Sequence, residues 1–346
     1  MAEQLTYASD SQQLLEIRDL SDVAEARRLA TRIASRADFS EVEVGNIALV
    51  ATELATNLLK HAKHGRIIVR VLQQSKKAGL EFIALDQGPG ISDLAQSMRD
   101  GYSTAGSPGT GLGAVNRLAS EFDIHSVPDK GTAVVARLWF DRPGQPPNPE
   151  IEFGIVCLPM PGQEVSGDGW RVESLADKYV CTLADGLGHG ADAATAARAA
   201  LETAQKYRNK APAEIVERAH GALRSTRGAA VAVGEIDPAK KLLRFCGVGN
   251  ITAIILTNGG IRHLVSYNGI VGHEARKIAE LTYPWSPDSL LIMHSDGLGT
   301  RWDLRTYPAL MQRHPALVAG VLFRDFWRGR DDVTVLAARE NGFCSQ

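Results

Sequence analysis

The chain has 346 residues, 44% hydrophobic and 23% charged, with a formal net charge of −2, so it reads as an ordinary globular protein of two domains. The near-zero charge excludes a general electrostatic pull toward nucleic acid or anionic lipid. No apolar run reaches the roughly 18 to 20 residues that span a bilayer, and MAEQLTYASD lacks both the basic and the apolar part of a signal peptide, which places the protein in the cytoplasm.

The run from Ser21 to Arg36 carries Val23, Ala26, Ala30 and Ile33 at helical spacing. A longer helix is expected from about Glu41 to Ala62, with Val44, Ile47, Ala48, Ala51, Leu54, Ala55 and Leu58 on its buried face. Strand-like runs follow: RIIVRVL from Arg66, LEFIALD from Leu80, FDIHSV from Phe122 and TAVVARLWF from Thr132. A helix after Gly111 falls between the second and third of them. This order predicts a mixed sheet covered on one face by helices, an α/β two-layer sandwich, over residues 10–140.

The stretch Asp141 to Glu150, DRPGQPPNPE, has four prolines in ten residues and reads as an extended linker, 141–150. Beyond it, over 151–340, β-branched runs dominate: IEFGIVCL, KYVCTLA, AAVAVGEI, LLRFCGVG, ITAIILT, SLLIMHS and DVTVLAAR. Helices are expected over Ala191 to Lys206, Pro212 to Thr226 and Pro308 to Trp327. Strands with helices grouped together predict an α+β domain with packed antiparallel sheets. Cys157, Cys181, Cys246 and Cys344 lack paired metal spacing and are expected to be reduced thiols, most of them packed in apolar strands.

Two groups of residues carry chemistry. In ELATNLLKHA, Glu53, Asn57 and His61 stand four residues apart, a polar stripe on one side of a helix that is otherwise apolar. Asp86 ends the second strand and is followed by Gln87-Gly88-Pro89-Gly90. Farther on, Gly109, Gly111 and Gly113 lead into a helix, and Gly131-Thr132 opens the last strand. Glycines admit phosphate close to the backbone, and a helix N-terminus offers free N–H donors.

This ordered set resembles the GHKL ATPase superfamily, and within it the RsbT-like switch kinases of the anti-sigma class. The phrases DQGPGISD, DGYSTAGSPGTGLGAVNRL and GTAVVARLWF carry the likeness. The resemblance implies an ATP- and Mg²⁺-dependent serine kinase in which Asn57 holds Mg²⁺ on the ATP phosphates and Asp86 accepts from the adenine amino group. Gly88 and Gly90 would shape the base pocket, with Thr132 near the adenine, while Gly109, Gly111 and Gly113 close over the phosphates. Glu53 would be the general base, and His61 would stand behind the reacting groups.

The second group is four aspartates beside glycine at strand ends: Asp168 in VSGDGW, Asp185 in ADGLGHG, Asp296 in HSDGL and Asp331 in RDDVT. Hard divalent cations require oxygen donors of this kind, and a pair of such ions activates water toward phosphorus. Mg²⁺ or Mn²⁺ suits the set better than zinc. The phrases LADGLGHGADA, RGAAVAVGEI, CGVGNITAII, HSDGLGTRWDL and GRDDVTVL resemble the metal-dependent serine/threonine phosphatases of the SpoIIE/RsbX branch.

That resemblance implies two Mn²⁺ or Mg²⁺ ions bridged by Asp185, with the Gly186 carbonyl, Asp168, Asp296 and Asp331 completing the shells. Spacing alone leaves Asp331 or Asp332 as the last ligand. Larger relatives have histidine where this chain has Leu187, which leaves the general acid to His189 or to water. Together the two likenesses imply a partner-switching regulator that phosphorylates and dephosphorylates serine or threonine on STAS-domain proteins, such as a stressosome scaffold. The alternative is a phosphatase whose first domain only senses ATP and docks a partner, a STAS protein or a downstream signalling protein.

Overall fold

This computed structural model describes residues 5–8, 12–37, 39–61, 63–74, 77–97, 111–141 and 150–341. Gly109, Cys344 and most of the proline-rich linker lie outside the described residues. The chain forms two compact units, one of Asp10–Pro146 with Asp303–Arg324, the other of Met1–Ser9, Pro147–Trp302 and Asp325–Gln346.

In the first unit, Asp19 starts helix α1 (Leu20–Arg36) with a capping box: its carboxylate accepts from the Ser21 and Asp22 amides, and its own amide donates to Asp22. The apolar spacing turns Val23, Ala26, Leu29, Ala30 and Ala34 inward. Helix α2 (Glu41–His61) sets Ile47, Val50, Ala51, Leu54, Ala55 and Leu58 in the same core. Among the described residues α2 is the one helix long and apolar enough, by length and composition, to cross a membrane, although Glu41, Glu43, Glu53 and Lys60 interrupt its apolar residues. Its apolar side lines this core, as a core helix does.

The sheet of this unit runs Gln13–Ile17, Gly65–Gln74, Lys77–Leu85, Gly131–Asp141, Glu121–Val127. Every pairing in it is antiparallel, where a mixed sheet was expected. The reason is connectivity: the paired strands Gly65–Gln74 and Lys77–Leu85 adjoin in sequence, as do Glu121–Val127 and Gly131–Asp141, and such short connections suit antiparallel neighbours. Helix α3 (Gly111–Leu118) follows in the core through Val115. On this sheet Arg70, Glu81 and Arg137 are successive cross-strand partners. Arg70 Nε donates to Glu81 Oε1 at 2.5 Å and Arg137 Nε to Oε2 at 2.7 Å, all three residues being buried.

The second unit packs two sheets face to face. One runs Leu5–Ala8, Asp168–Ser174, Tyr179–Gly186, Ala229–Asp237, Leu242–Val248, Ser266–Tyr267, with Leu281–Pro284 also on Leu242–Val248; the other runs Gly260–His263, Thr252–Thr257, Leu290–His294, Val333–Glu340, Ile151–Leu158. All pairings are antiparallel except that of Leu242–Val248 with Ser266–Tyr267. Trp170, Phe245, Trp285, Met293 and Leu336 share the core between them. Helices α4 (Ala191–Lys206) and α5 (Pro212–Ala222) form a further layer, Leu201 and Ile215 packing with Val180, Val231 and Cys246. Burial pushes the Cys157 and Cys181 thiols up to about 12, which makes both inert packing groups.

Helix α6 (Pro315–Phe326) begins later than expected, after short 3-10 turns at Leu304–Thr306 and Leu310–Gln312. Residues Asp303–Arg324 pack with the first unit, although they stand in the second half of the sequence.

Candidate functional site

In the first unit, α2 presents half-buried Glu53 and Asn57 one turn apart. Asn57 Nδ2 is buried with no hydrogen-bond partner, a costly arrangement for an amide that has no ligand to meet. Asp86 follows strand Lys77–Leu85 and is tied on all sides: its Oδ1 accepts from the Gly88 amide at 2.6 Å and the Thr132 amide at 3.2 Å, and its own amide donates to the Thr132 carbonyl at 2.9 Å. Burial raises the Asp86 carboxyl above its usual range, against those two amides and the charges of Arg324 and His61.

Two glycines make this loop possible. Gly131 has φ +86 and a Cβ there would collide with the Asp86 carbonyl; Gly90 has φ +75 and a Cβ would collide with the Val127 carbonyl. Thr132 Oγ1 lies 2.9 Å from Ser126 Oγ, and Ser126 Oγ in turn receives the Ile91 amide at 2.8 Å. The Asp86 loop and the strand hairpin are thus one hydrogen-bonded body. Gly111 and Gly113 lie in the first turn of α3.

In the second unit, Asp168 and Asp185 are direct cross-strand partners at the ends of Asp168–Ser174 and Tyr179–Gly186. Asp296 follows strand Leu290–His294 and Asp331 precedes Val333–Glu340, so the four carboxylates come from four strand ends, as the spacing predicted. Burial, then the charges of Asp168, Asp296, Asp331 and Asp332, push the Asp185 carboxyl up to about 9. Burial pushes Asp168 up to about 7, aided by Asp332 and Asp331 and opposed by the Ser295 and Thr334 hydroxyls; its Oδ2 is buried without a partner. Mutual repulsion with no cation among them is what a divalent ion relieves. Among the described residues no three such side chains converge on a single cation position. Gly186 is held where a Cβ would strike the Ala193 backbone, so glycine is required at this turn.

Asp331 and Asp332 differ in kind. Asp332 is buried and spends both oxygens on backbone amides, Met160 at 2.7 Å and Gly167 at 2.7 Å, while its own amide donates to Asp331 Oδ1 at 2.9 Å. Leu187 is 51% exposed and its amide donates to the Gly228 carbonyl; His189 is also exposed. Sequence reasoning missed Asn250, whose Nδ2 donates to Asp296 Oδ2 at 2.8 Å, and the anchoring role of Asp332. The GVGN turn was the only signal for Asn250.

The fold and these groups define the class: a histidine kinase-like nucleotide domain joined to a metal-dependent phosphatase domain. The chain belongs to the histidine kinase-like ATPase family over residues 18–138, and residues 176–341 match stage II sporulation protein E (SpoIIE). It is similar to the serine/threonine-protein kinase RsbT of Bacillus subtilis (strain 168), 40% identical over 118 residues, covering 34% of this chain and 89% of the relative. It is also similar to the phosphoserine phosphatase RsbX of the same organism, 26% identical over 161 residues, covering 46% of this chain and 80% of the relative. A solved chain from work on the bacterial stressosome as a modular system that controls secondary messenger signaling matches with TM-score 0.53 and 28% identity, covering 55% of this chain and 100% of that one.

Proposed function

We propose that the protein is a bifunctional switch that phosphorylates serine or threonine on a partner with its first unit and removes that phosphate with its second. The observation that carries the reading is the pair of unsatisfied buried groups, Asn57 Nδ2 in one unit and Asp168 Oδ2 in the other, each set among groups suited to phosphate chemistry.

In the first unit, Asp86 would accept from the adenine amino group beside Thr132, with Gly88 and Gly90 shaping the pocket wall. Asn57 would hold Mg²⁺ on the ATP phosphates through its amide oxygen, and the glycines at Gly109, Gly111 and Gly113 would let the backbone come close to those phosphates. Glu53, one turn before Asn57, takes the proton from the incoming hydroxyl.

In the second unit, Mg²⁺ or Mn²⁺ ions would supply the positive charge that binds phosphate and acidifies the attacking water. Asp185 would bridge them, with Asp168, Asp296, Asp331 and the Gly186 carbonyl as the remaining protein ligands. Asp331 fits this place because Asp332 is spent on the Met160 and Gly167 amides. Asn250 orients Asp296. With an aliphatic side chain at Leu187, the leaving serine takes its proton from water or from His189.

Similarity to a serine/threonine kinase and to a phosphoserine phosphatase supports one shared target, and the stressosome likeness supports a STAS-domain scaffold protein in the cytoplasm, where ATP is abundant. A short linker raises the local concentration of both units at that target. The test incubates the full chain and a STAS-domain protein with γ-labelled ATP. Asp185→Asn should accumulate labelled partner and Glu53→Ala should yield none; label that never reaches the partner in Asp185→Asn removes the kinase claim.

A further inference from the structure

Resting on the nucleotide reading of the first unit, we infer that residues Asp303–Arg324 carry the nucleotide state of the Asp86 site to the phosphatase ligand loops, so that nucleotide binding sets the rate of dephosphorylation. The segment is part of the nucleotide unit by packing, while the residues on either side of it belong to the phosphatase unit. It begins seven residues after Asp296 and ends seven residues before Asp331, so any displacement of it pulls on both ligand loops through the chain itself.

Its attachment is continuous and specific. Lys130 Nζ donates to the Thr306 carbonyl at 3.0 Å and lies 5.0 Å from the Tyr307 ring centre. His125 Nε2 is 3.0 Å from the Pro308 carbonyl. Asp123 accepts from the Arg313 guanidinium at 3.2 Å and from the His314 amide at 2.7 Å. In α6, Gly320 sits so close to the strand leading into Asp86 that a Cβ would lie 2.9 Å from Ile83 and 3.1 Å from Leu85. At the end of the segment, buried Arg324 donates through Nη1 to the Asp86 carbonyl at 2.9 Å.

Asp86 is therefore gripped from two directions. Its carboxylate faces the Gly88 and Thr132 amides, where the base would bind, and its carbonyl holds Arg324. A base amino group drawing on the carboxylate competes with those amides and tilts the same peptide that Arg324 grips. Close packing at Gly320 transmits such a shift as a step, because tightly packed contacts have discrete arrangements and little compliance. Coupling free energies of this kind change a linked equilibrium by about 5- to 150-fold.

The experiment follows turnover of 4-nitrophenyl phosphate by the full chain with Mn²⁺, with and without saturating non-hydrolysable ATP analogue, alongside a direct fluorescence titration of a labelled nucleotide. In the wild type, nucleotide should change the rate by about fivefold or more. Arg324→Ala and Asp123→Ala should each lose that response while keeping the nucleotide-free rate and still binding the labelled nucleotide. A rate that ignores bound nucleotide overturns this inference alone, as does a full response in both variants. No nucleotide binding by the wild type overturns the nucleotide reading and this inference with it. Should the variants fail to fold, hydrogen exchange on the wild type decides: nucleotide must alter amide protection in 303–324 and in the flanks 296–302 and 327–332, and unaltered flanks overturn the inference.

Discussion

Asp168 and Asp185 face each other directly across an antiparallel ladder, two like charges at a position where sheets ordinarily set complementary or neutral pairs. Burial and mutual repulsion raise both carboxyls, to about 7 and about 9. A carboxyl raised in the folded state stabilises the fold most below its unfolded pKa and loses that contribution as pH rises through the folded value. In chelator the melting temperature of the second unit should therefore fall between about pH 4 and pH 9, and saturating Mn²⁺ should flatten the slope. Asp168→Asn should raise the chelator melting temperature by about 1–3 °C while costing phosphatase activity more than about 100-fold. A chelator profile that rises with pH contradicts the reading.

Asn250 donates to Asp296 Oδ2, which leaves one oxygen of that carboxylate for other work. Groups that orient a metal ligand typically contribute 10- to 100-fold in metal affinity. Asn250→Ala should raise the Mn²⁺ concentration for half-maximal turnover by about tenfold, with the rate at saturating Mn²⁺ recovering to within about threefold. A loss of maximal rate at unchanged Mn²⁺ dependence would assign Asn250 to the substrate instead.

Asp331 and Asp332 should separate cleanly. Asp332→Ala strands the Met160 and Gly167 amides beside a buried gap and should destabilise the second unit by about 3 kcal/mol, read by urea unfolding. Asp331→Asn should leave stability within about 0.5 kcal/mol and remove metal-dependent turnover. The reverse pattern would make Asp332 the ligand.

Much of this was legible in the chain. Helical spacing from Val23 and from Ile47 found α1 and α2, Asp-Gly at the ends of apolar runs found Asp168, Asp185 and Asp296, and the RDDVT run found Asp331 before the last strand. What escaped shares one property: it depends on which distant segment is the neighbour. The apolar residues of Pro315–Phe326 suit either core equally, so nothing local assigns Gly320 to Ile83 and Leu85. Arg70, Glu81 and Arg137 stand far apart in the sequence, and only the three-strand register brings them into one buried cluster.

That cluster yields a stability prediction. Burial alone pushes the Glu81 carboxyl up, but the flanking Arg70 and Arg137 outweigh it and hold it below its ordinary value. Its contribution is thus present above the unfolded carboxylate range and is lost as pH falls through the lowered folded value. Glu81→Leu leaves two arginines buried without their shared anion and should destabilise the first unit by about 3–5 kcal/mol. Replacing all three by apolar residues of similar size should restore most of the loss; failure to do so would mean the cluster selects the strand register as well as stabilising it.

Glu53 is the residue on which the kinase claim turns. It stands one helical turn from Asn57, and the adenine contacts assigned above lie on the separate Asp86 loop, so binding and transfer are separable by mutation. Removing a general base lowers the chemical step by about 10²- to 10⁴-fold and leaves binding intact. Glu53→Gln, close in shape and neutral, should therefore bind labelled nucleotide with an affinity within about threefold of the wild type and transfer phosphate at least about 100-fold more slowly. Gly131→Ala provides the opposite control: its φ of +86 and the Asp86 carbonyl leave no room for a methyl group, so the Asp86 loop shifts and nucleotide affinity falls together with transfer. If Glu53→Gln lowers binding and transfer in equal proportion, Glu53 holds the nucleotide and some other group takes the proton. If neither changes, the first unit binds ATP without transferring its phosphate, and the protein is a phosphatase under nucleotide control.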